Sequence, residues 1–397
     1  MLAYLPRLSK YRNIFRKRLA RKPPFTIPEG AYPIWFHAVS VGETKAIIPL
    51  AKQLKATIPN AFIIVSTITE TAQRETHFAD ASCYLPFDLP WIITPFVRAI
   101  SPRLVILSET DFWFQFLHSA KKMGAKLLLV NGKLSARSQR NFSRFSPFTN
   151  QLFALFDALY VQSVLYRDRF ISLGIPSEKI MVTGNLKLDA PSEPPSTAFK
   201  EALALNSEDK ILVIGSTHHP EEELILNELK NVWAEHPTLK VILVPRHPDR
   251  VPAVVSLLQN KNIPFQLFTD HQPFVTHVLL VDQMGHLKKC YQIATVAFVA
   301  GSYTARIGGH NIIEPMPYGT PVLFGPHMHT QPDFLALTKH YDAGLQVPLD
   351  QLAPTLNRLL TDPKERQRLA DNGKRLVAAS TGATTRTFDL LIHWVKS

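Results

Sequence analysis

Short apolar runs set the rhythm of the chain. Tyr32 to Ala38 (YPIWFHA), Ala61 to Thr67 (AFIIVST), Leu104 to Ser108 (LVILS) and Lys126 to Val130 (KLLLV) are almost continuously apolar. Runs of this kind predict strands buried on both faces. Between them, Ala46, Ile47, Leu50, Ala51 and Leu54 recur on one helical face. Glu70 to Phe78 reads as a short helix. Asp111 to Met123 reads as a longer one, carrying Phe112, Trp113 and Phe116. Cys83 to Phe87 predicts an extended piece and Asn131-Gly132 a turn, while Ala158 to Gln162 and Ile180 to Thr183 add two more strands. Strands alternating with helices over this length predict a parallel sheet covered on both sides.

Residues 190–197 (APSEPPST) break the pattern with three prolines and two serines, the composition of a linker. Alternation then restarts. Ile211 to Ile214, Val241 to Val244, Phe265 to Phe268, Val278 to Val281, Val296 to Ala300 and Val322 to Phe324 predict strands. Glu221 to Trp233 and Arg250 to Leu258 predict helices between them, and Leu352 to Trp394 a helical tail. The expected organisation is a basic segment over 1–28, an α/β domain over 29–189, a linker over 190–206 and a second α/β domain over 207–397 that includes the tail. Two such halves would leave a cleft between them. No Gly-x-Gly-x-x-Gly fingerprint occurs, so a dinucleotide fold is not indicated.

Charge changes the picture at the start of the chain. The net charge is +12, and Arg7, Lys10, Arg12, Arg16, Lys17, Arg18, Arg21 and Lys22 all precede the first acid, Glu29. Leu2, Leu5, Leu8, Tyr11, Phe15 and Leu19 recur among these cations at near-helical spacing. The combination predicts an interfacial helix on anionic lipid; a helix packed on the domain with a solvated charged side fits the same pattern. No run reaches the roughly 20 apolar residues that span a bilayer. The clustering of cations at one end argues against a nucleic-acid groove. Cys83 and Cys290 are far apart and match no disulfide or zinc spacing, which fits a reducing cytosol.

Candidate chemistry gathers where strands end, the place ligands occupy in parallel sheets. Residues 296–325 read strand, glycine loop, short helix, strand. Gly308 and Gly309 permit close backbone approach, and His310, Asn311 and Glu314 follow on what reads as a helix start suited to an anion. Glu43 opens a helix behind a Ser-Val-Gly turn, where helix amides favour the ionised carboxylate and where it can accept a proton. It can equally be an ordinary helix-start glutamate. Glu109 ends a strand, with Asp111 beyond it as a helix-cap candidate, and Lys187 follows another strand and can offset developing negative charge. Gly215-Ser216-Thr217-His218, Pro245-Arg246 and Met284-Gly285-His286 are further strand-end loops, of which Ser216 and Arg246 suit a phosphate. The histidines match no zinc spacing, and no Asp-x-Asp motif stands near a strand end. No metal ion or other cofactor is therefore expected.

These segments together resemble one family. SVGE at 40–43, ET-D-FW at 109–113, VNGKLSARS at 130–138, TGNLK at 183–187, GSTH at 215–218, VPRHPDR at 244–250, MG at 284–285 and GGHNIIEP at 308–315 occur in collinear order. The chain resembles the 3-deoxy-D-manno-octulosonic acid (Kdo) transferases of lipopolysaccharide synthesis. The resemblance implies a GT-B glycosyltransferase fold, two Rossmann-like domains facing a cleft, with CMP-Kdo as donor and a lipid A precursor as acceptor. It implies Glu43 as proton acceptor, and Glu109 and Lys187 as stabilisers of the transition state. It also implies Pro245, Arg246, Met284, Gly285, His286, Asn311, Ile312, Ile313 and Glu314 as the CMP-sugar-binding set, with Ser216, Gly308, Gly309 and His310 as further phosphate or sugar candidates. His286 stands where the family often has Glu, and Ile312 where it often has Pro. Many members begin with a longer apolar anchor; a short basic start implies weaker, salt-sensitive attachment to the cytoplasmic face of the inner membrane. A GT-B enzyme using a UDP-sugar, and a non-catalytic basic scaffold for lipid or nucleic acid, remain alternatives at this stage.

Overall fold

A computed structural model describes residues 13–189 and 198–396. The chain divides into two compact units. One comprises residues up to 190 together with those from 380 onward, and the other comprises residues 191–379.

The first unit is built on β1 (Tyr32–His37), β2 (Ala61–Thr67), β3 (Ala81–Tyr84), β4 (Leu104–Ser108), β5 (Lys126–Gly132), β6 (Ala158–Val161) and β7 (Ile180–Val182). All pairings are parallel, in the order β3-β2-β1-β4-β5-β6-β7. Neighbouring residues along a strand enter different cores. Trp35, Leu107 and Leu129 join one apolar cluster, and Ile34, Phe36, Ile106 and Leu128 join the other. This is the physical reason for the unbroken apolar runs, because both faces are covered.

The second unit repeats the plan with β8 (Ile211–Thr217), β9 (Lys240–Pro245), β10 (Phe265–Leu267), β11 (Val278–Leu280), β12 (Val296–Val299), β13 (Val322–Phe324) and β14 (Gly344–Gln346). The parallel order is β10-β11-β9-β8-β12-β13-β14. In each sheet the strand order reverses at one place, between β1 and β4 and between β8 and β12. Such switch points open a crevice at the strands' carboxyl ends.

Several expectations need correction. The helix expected from Asp111 begins at Phe114, and its amides at Gln115 and Phe116 donate to the carboxylate of Asp88 at 2.9 and 2.7 Å. Asp88, not Asp111, therefore caps it. The helix expected over Glu70 to Phe78 is confined to Glu70–Gln73. Helices Pro90–Ile100, Ala136–Arg144, Ser146–Ala154 and Val164–Ile171 were not anticipated.

The tail, assigned from sequence wholly to the second domain, divides. Ala383 and Leu391 of helix Ala383–Leu391 are buried in the first unit's core with Tyr160 and Leu186. Trp394 Nε1 donates to the Tyr160 hydroxyl at 3.0 Å, and the Gly382 amide donates to Asp189 at 2.7 Å.

Residues 13–18 are helical, and this part of the basic start packs on the first unit. The Phe15 and Phe87 rings lie 5.0 Å apart, and Arg18 donates to the Leu85 carbonyl at 2.9 Å while lying over the Phe87 ring. Leu2, Leu5, Arg7, Leu8, Lys10, Tyr11 and Arg12 lie outside the described residues, as does the 190–197 linker. Among the described residues no helix is long and apolar enough to cross a membrane.

Candidate active site

The switch point of the first unit carries Glu43 and Glu109. Glu43 lies in the first turn of helix Val41–Thr57, behind β1, with Ser40 as N-cap. The Glu43 amide donates to Ser40 Oγ at 3.3 Å. Ser40 Oγ and the Val39 amide donate back to the Glu43 carboxylate at 2.8 and 3.0 Å, a reciprocal capping arrangement. Glu43 is only 8% exposed. Burial raises its pKa, and the negative charge of Glu109 raises it further, against the lowering pull of Val39 and Ser40. The sequence expectation that helix amides would favour the ionised form is thus reversed, since desolvation and a like charge outweigh two hydrogen bonds.

Glu109 follows β4 with φ of 64°, a left-handed conformation that costs a non-glycine residue energy and tends to collect at functional sites. It is 3% exposed. Lys187, from the short helix Leu186–Leu188 after β7, pairs with its Oε1, and Lys133, just beyond β5, pairs with its Oε2 at 2.5 Å. Asn131 Nδ2 reaches the same carboxylate at 3.4 Å, and Asn131 Oδ1 accepts from the Leu186 amide. Burial alone would raise Glu109; the two ammoniums outweigh it and hold the carboxyl below its usual value. One carboxylate is therefore biased toward holding a proton and its neighbour toward remaining charged, a separation of roles familiar from acid–base sites. Sequence reasoning missed Lys133. A lysine after a strand looks solvated, and only its pairing with Glu109 distinguishes it.

The second unit places its candidates around the β8/β12 switch point. Ser216 bulges out of β8 with φ of 61°, beside Gly215. Pro245 is buried and ends β9, and Arg246 is exposed, its amide donating to the Thr217 carbonyl at 3.1 Å. Met284 is 62% exposed and Gly285 has φ of 94°. The His286 ring packs 4.6 Å from Phe268 and 6.5 Å from Phe199. Gly308 and Gly309 have φ of 79° and 93°; Cβ atoms there would meet His329 and Met328. His310 Nε2 and His218 Nε2 are 2.8 Å apart and share one hydrogen. Burial, then the charges of His218, Arg246 and His247, lower His310 to about 4.

Two corrections arise here. Residues 311–315 form a turn followed by the short helix Met316–Tyr318, so Asn311 and Glu314 do not share an α-helical face. Pro315 and Pro317 remove the amide donors that a helix would need. Asn311 instead closes its own turn, its Oδ1 accepting from the Ile313 amide at 3.0 Å. Ile312 and Ile313 are buried, which leaves only their backbone for a ligand. Glu314 is half-buried; burial raises its carboxyl, while Lys288 and Arg246 lower it.

Glu221 and Glu222, also missed, build this site from beneath. Glu221 accepts from the amides of Gly301, Tyr303 and His218 at 2.7, 2.8 and 3.2 Å. Glu222 joins Thr217 to Arg250. Among the described residues, no group of three or more His, Cys, Asp or Glu is placed to hold a metal ion.

Two parallel seven-stranded sheets, each with candidate side chains at its switch point, are the architecture of the GT-B fold class. Solved structures share the fold. A glycosyltransferase from Rickettsia africae matches with a TM-score of 0.65 at 14% identity, over 93% of this chain and 99% of that one. A UDP-GlcNAc 2-epimerase from Neisseria meningitidis matches with the same score and identity, over 91% and 100%. Residues 10–190 match the family described as 3-deoxy-D-manno-octulosonic-acid transferase (kdotransferase). The 3-deoxy-D-manno-octulosonic acid transferase of Chlamydia muridarum is 34% identical over 96% of this chain and 90% of its own length. That of Haemophilus influenzae is 32% identical over 100% and 96%. The chain belongs to the Kdo transferase family.

Proposed function

We propose that this enzyme transfers Kdo from CMP-Kdo to a lipid A precursor, with inversion at the anomeric carbon. The reading rests on family membership and on the opposite directions in which their surroundings shift the buried carboxyls of Glu43 and Glu109. Glu43 accepts the proton of the attacking acceptor hydroxyl. The new bond forms from the hydroxyl oxygen to the anomeric carbon, and the bond from that carbon to the phosphate oxygen breaks, its electron pair leaving with CMP. Lys187 and Glu109 stabilise charge at the reacting centre, and Arg246 with the Ser216 and Gly308–His310 loops holds the departing phosphate. Asn311 and Glu314 take the ribose hydroxyls, and Met284, Gly285 and His286 complete the nucleotide contacts. Glu43→Gln should abolish transfer while CMP still binds. Turnover at the wild-type rate in that variant would remove Glu43 from the role.

The acceptor is a membrane lipid, so the basic start is proposed to dock on the anionic cytoplasmic face of the inner membrane. Phe15 and Leu19, 54% and 44% exposed among Arg16, Lys17, Arg21 and Lys22, support this reading. Sedimentation with anionic vesicles should fall steeply with added salt; salt-independent binding would contradict an electrostatic attachment.

A further inference from the structure

The reading above gives Glu43 the proton and leaves the lysines as neutralisers of charge. The geometry around Glu109 carries a more specific consequence. We propose that Lys133, through the Glu109 carboxylate it grips, sets the pH at which Glu43 becomes a competent proton acceptor. The proposal rests on Glu43 being that acceptor.

Glu109 is the hub. Its Oε1 pairs with Lys187, its Oε2 with Lys133, and Asn131 Nδ2 approaches Oε1. These partners come from three places in the sheet: the end of β5, the residue just beyond it, and the short helix after β7. They fix both oxygens of a carboxylate that is almost wholly buried. The groups that respond to its charge are Glu43, at the start of helix Val41–Thr57, and Asp111, two residues beyond Glu109. Each is raised first by burial and then by the charge on Glu109 in its surroundings, and Lys133 opposes the effect at Asp111. Lys133 and Lys187 pair with Glu109 and Lys133 acts on Asp111, whereas Glu43 feels the charge of Glu109. The protonation of Glu43 depends on how completely Glu109 is offset.

The two lysines are not equivalent in this arrangement. Lys187 lies beside Gly42, in the turn that carries Glu43, with its Nζ 3.8 Å from where a Gly42 Cβ would stand. Lys187 therefore lies against the helix start that carries Glu43 as well as against Glu109. Lys133 grips the other oxygen, and its side chain is 40% exposed, so shortening or neutralising it opens no cavity in the core. Lys133 is thus a positioning residue. Its loss leaves Glu109 less compensated, and Glu43 then keeps its proton to higher pH. An arginine keeps the charge and the donors.

The test is the pH dependence of kcat/KM for Kdo transfer, measured between about pH 5 and 9, where the acid limb reports the essential base. Wild type is compared with Lys133→Met, Lys133→Gln, Lys133→Arg and Glu43→Gln, each checked for an unchanged melting temperature. The acid limb of the Met and Gln variants should move up by about half to one pH unit, an extra loss of roughly 3- to 10-fold at the acidic end. The Arg variant should keep the wild-type limb. Either neutral variant suffices if the other fails to fold. An unmoved limb in the neutral variants, or an equal shift in the Arg variant, would overturn the proposal while Glu43→Gln stays inactive. An active Glu43→Gln would overturn the parent reading, and this proposal with it.

Discussion

Gly215, near the end of β8, tests how tightly the second unit's switch point is packed. A Cβ built there would lie 2.1 Å from the Tyr291 hydroxyl, 2.9 Å from Tyr291 Cζ and 2.8 Å from Leu287 Cδ1. Real Cβ atoms do not come so close, so Gly215→Ala must displace the face of helix Leu287–Ile293 that carries both side chains. Tyr291 is 0% exposed and cannot rotate into solvent. Overpacking of this kind costs about 1–3 kcal/mol, and three overlaps at one site put the value near the upper end. The Tyr291 hydroxyl has no hydrogen-bond partner among the described residues. Tyr291→Phe should therefore be neutral or stabilising by up to about 1 kcal/mol, because an unsatisfied polar group is removed. Placed together, the two substitutions should recover roughly 1 kcal/mol relative to their sum, because the worst overlap is with the oxygen. Urea unfolding of the four proteins, followed by a signal specific to the second unit, measures all three quantities. A Gly215→Ala variant within about 0.5 kcal/mol of wild type, or a Tyr291→Phe variant losing more than about 2 kcal/mol, would refute the packing argument.

Two further outcomes follow from the same geometry. Glu109→Gln should cost about 1–3 kcal/mol near pH 7, less than a fully buried pair because both lysine partners are partly exposed. The folded-state pKa of Glu109 lies below its unfolded value, so its stabilisation is present above the unfolded pKa and is lost as pH falls through the folded one. The gap between variant and wild type in urea midpoint should therefore close in acid; a gap that widened would contradict the ion-pair account. Gly309→Ala imposes a left-handed conformation on alanine and sets its Cβ 2.4 Å from Met328 Sδ and 3.0 Å from the His327 carbonyl. The loss should be about 2–4 kcal/mol with weakened CMP binding, and calorimetry showing wild-type affinity in a folded Gly309→Ala would contradict the role given to that loop.

Much of the fold was legible because the central strands are buried on both faces, so their apolar runs are unbroken. LVILS and AFIIVST coincide with β4 and β2 for that reason. The sheet order was not legible, since no strand carries a label for its neighbour. Helix Ala136–Arg144 was missed because it has no fully buried side chain and sets little beyond Phe142 against the core, which leaves no apolar stripe. The tail has an apolar stripe, but a stripe does not say which core it fills; the Asp189–Gly382 hydrogen bond, between residues 193 positions apart, decides it. At the site, the motifs placed Glu43, Glu109 and Lys187 at strand ends, and these three do gather in the first unit. Their electrostatics were out of reach, because the raised pKa of Glu43 depends on burial and on a charge 66 positions away. The turn at Asn311–Pro315 was read as a helix start, although Pro315 and Pro317 leave two positions in close succession without an amide donor.

The claim at the centre of the account is that a buried carboxylate at Glu43 takes the acceptor's proton. Its most direct measurement is single-turnover transfer from CMP-Kdo to a lipid A precursor by Glu43→Gln, alongside calorimetric binding of CMP to the same variant. The account predicts a rate lower by at least about 100-fold with CMP affinity unchanged. Transfer at the wild-type rate by a variant that binds CMP normally would contradict it.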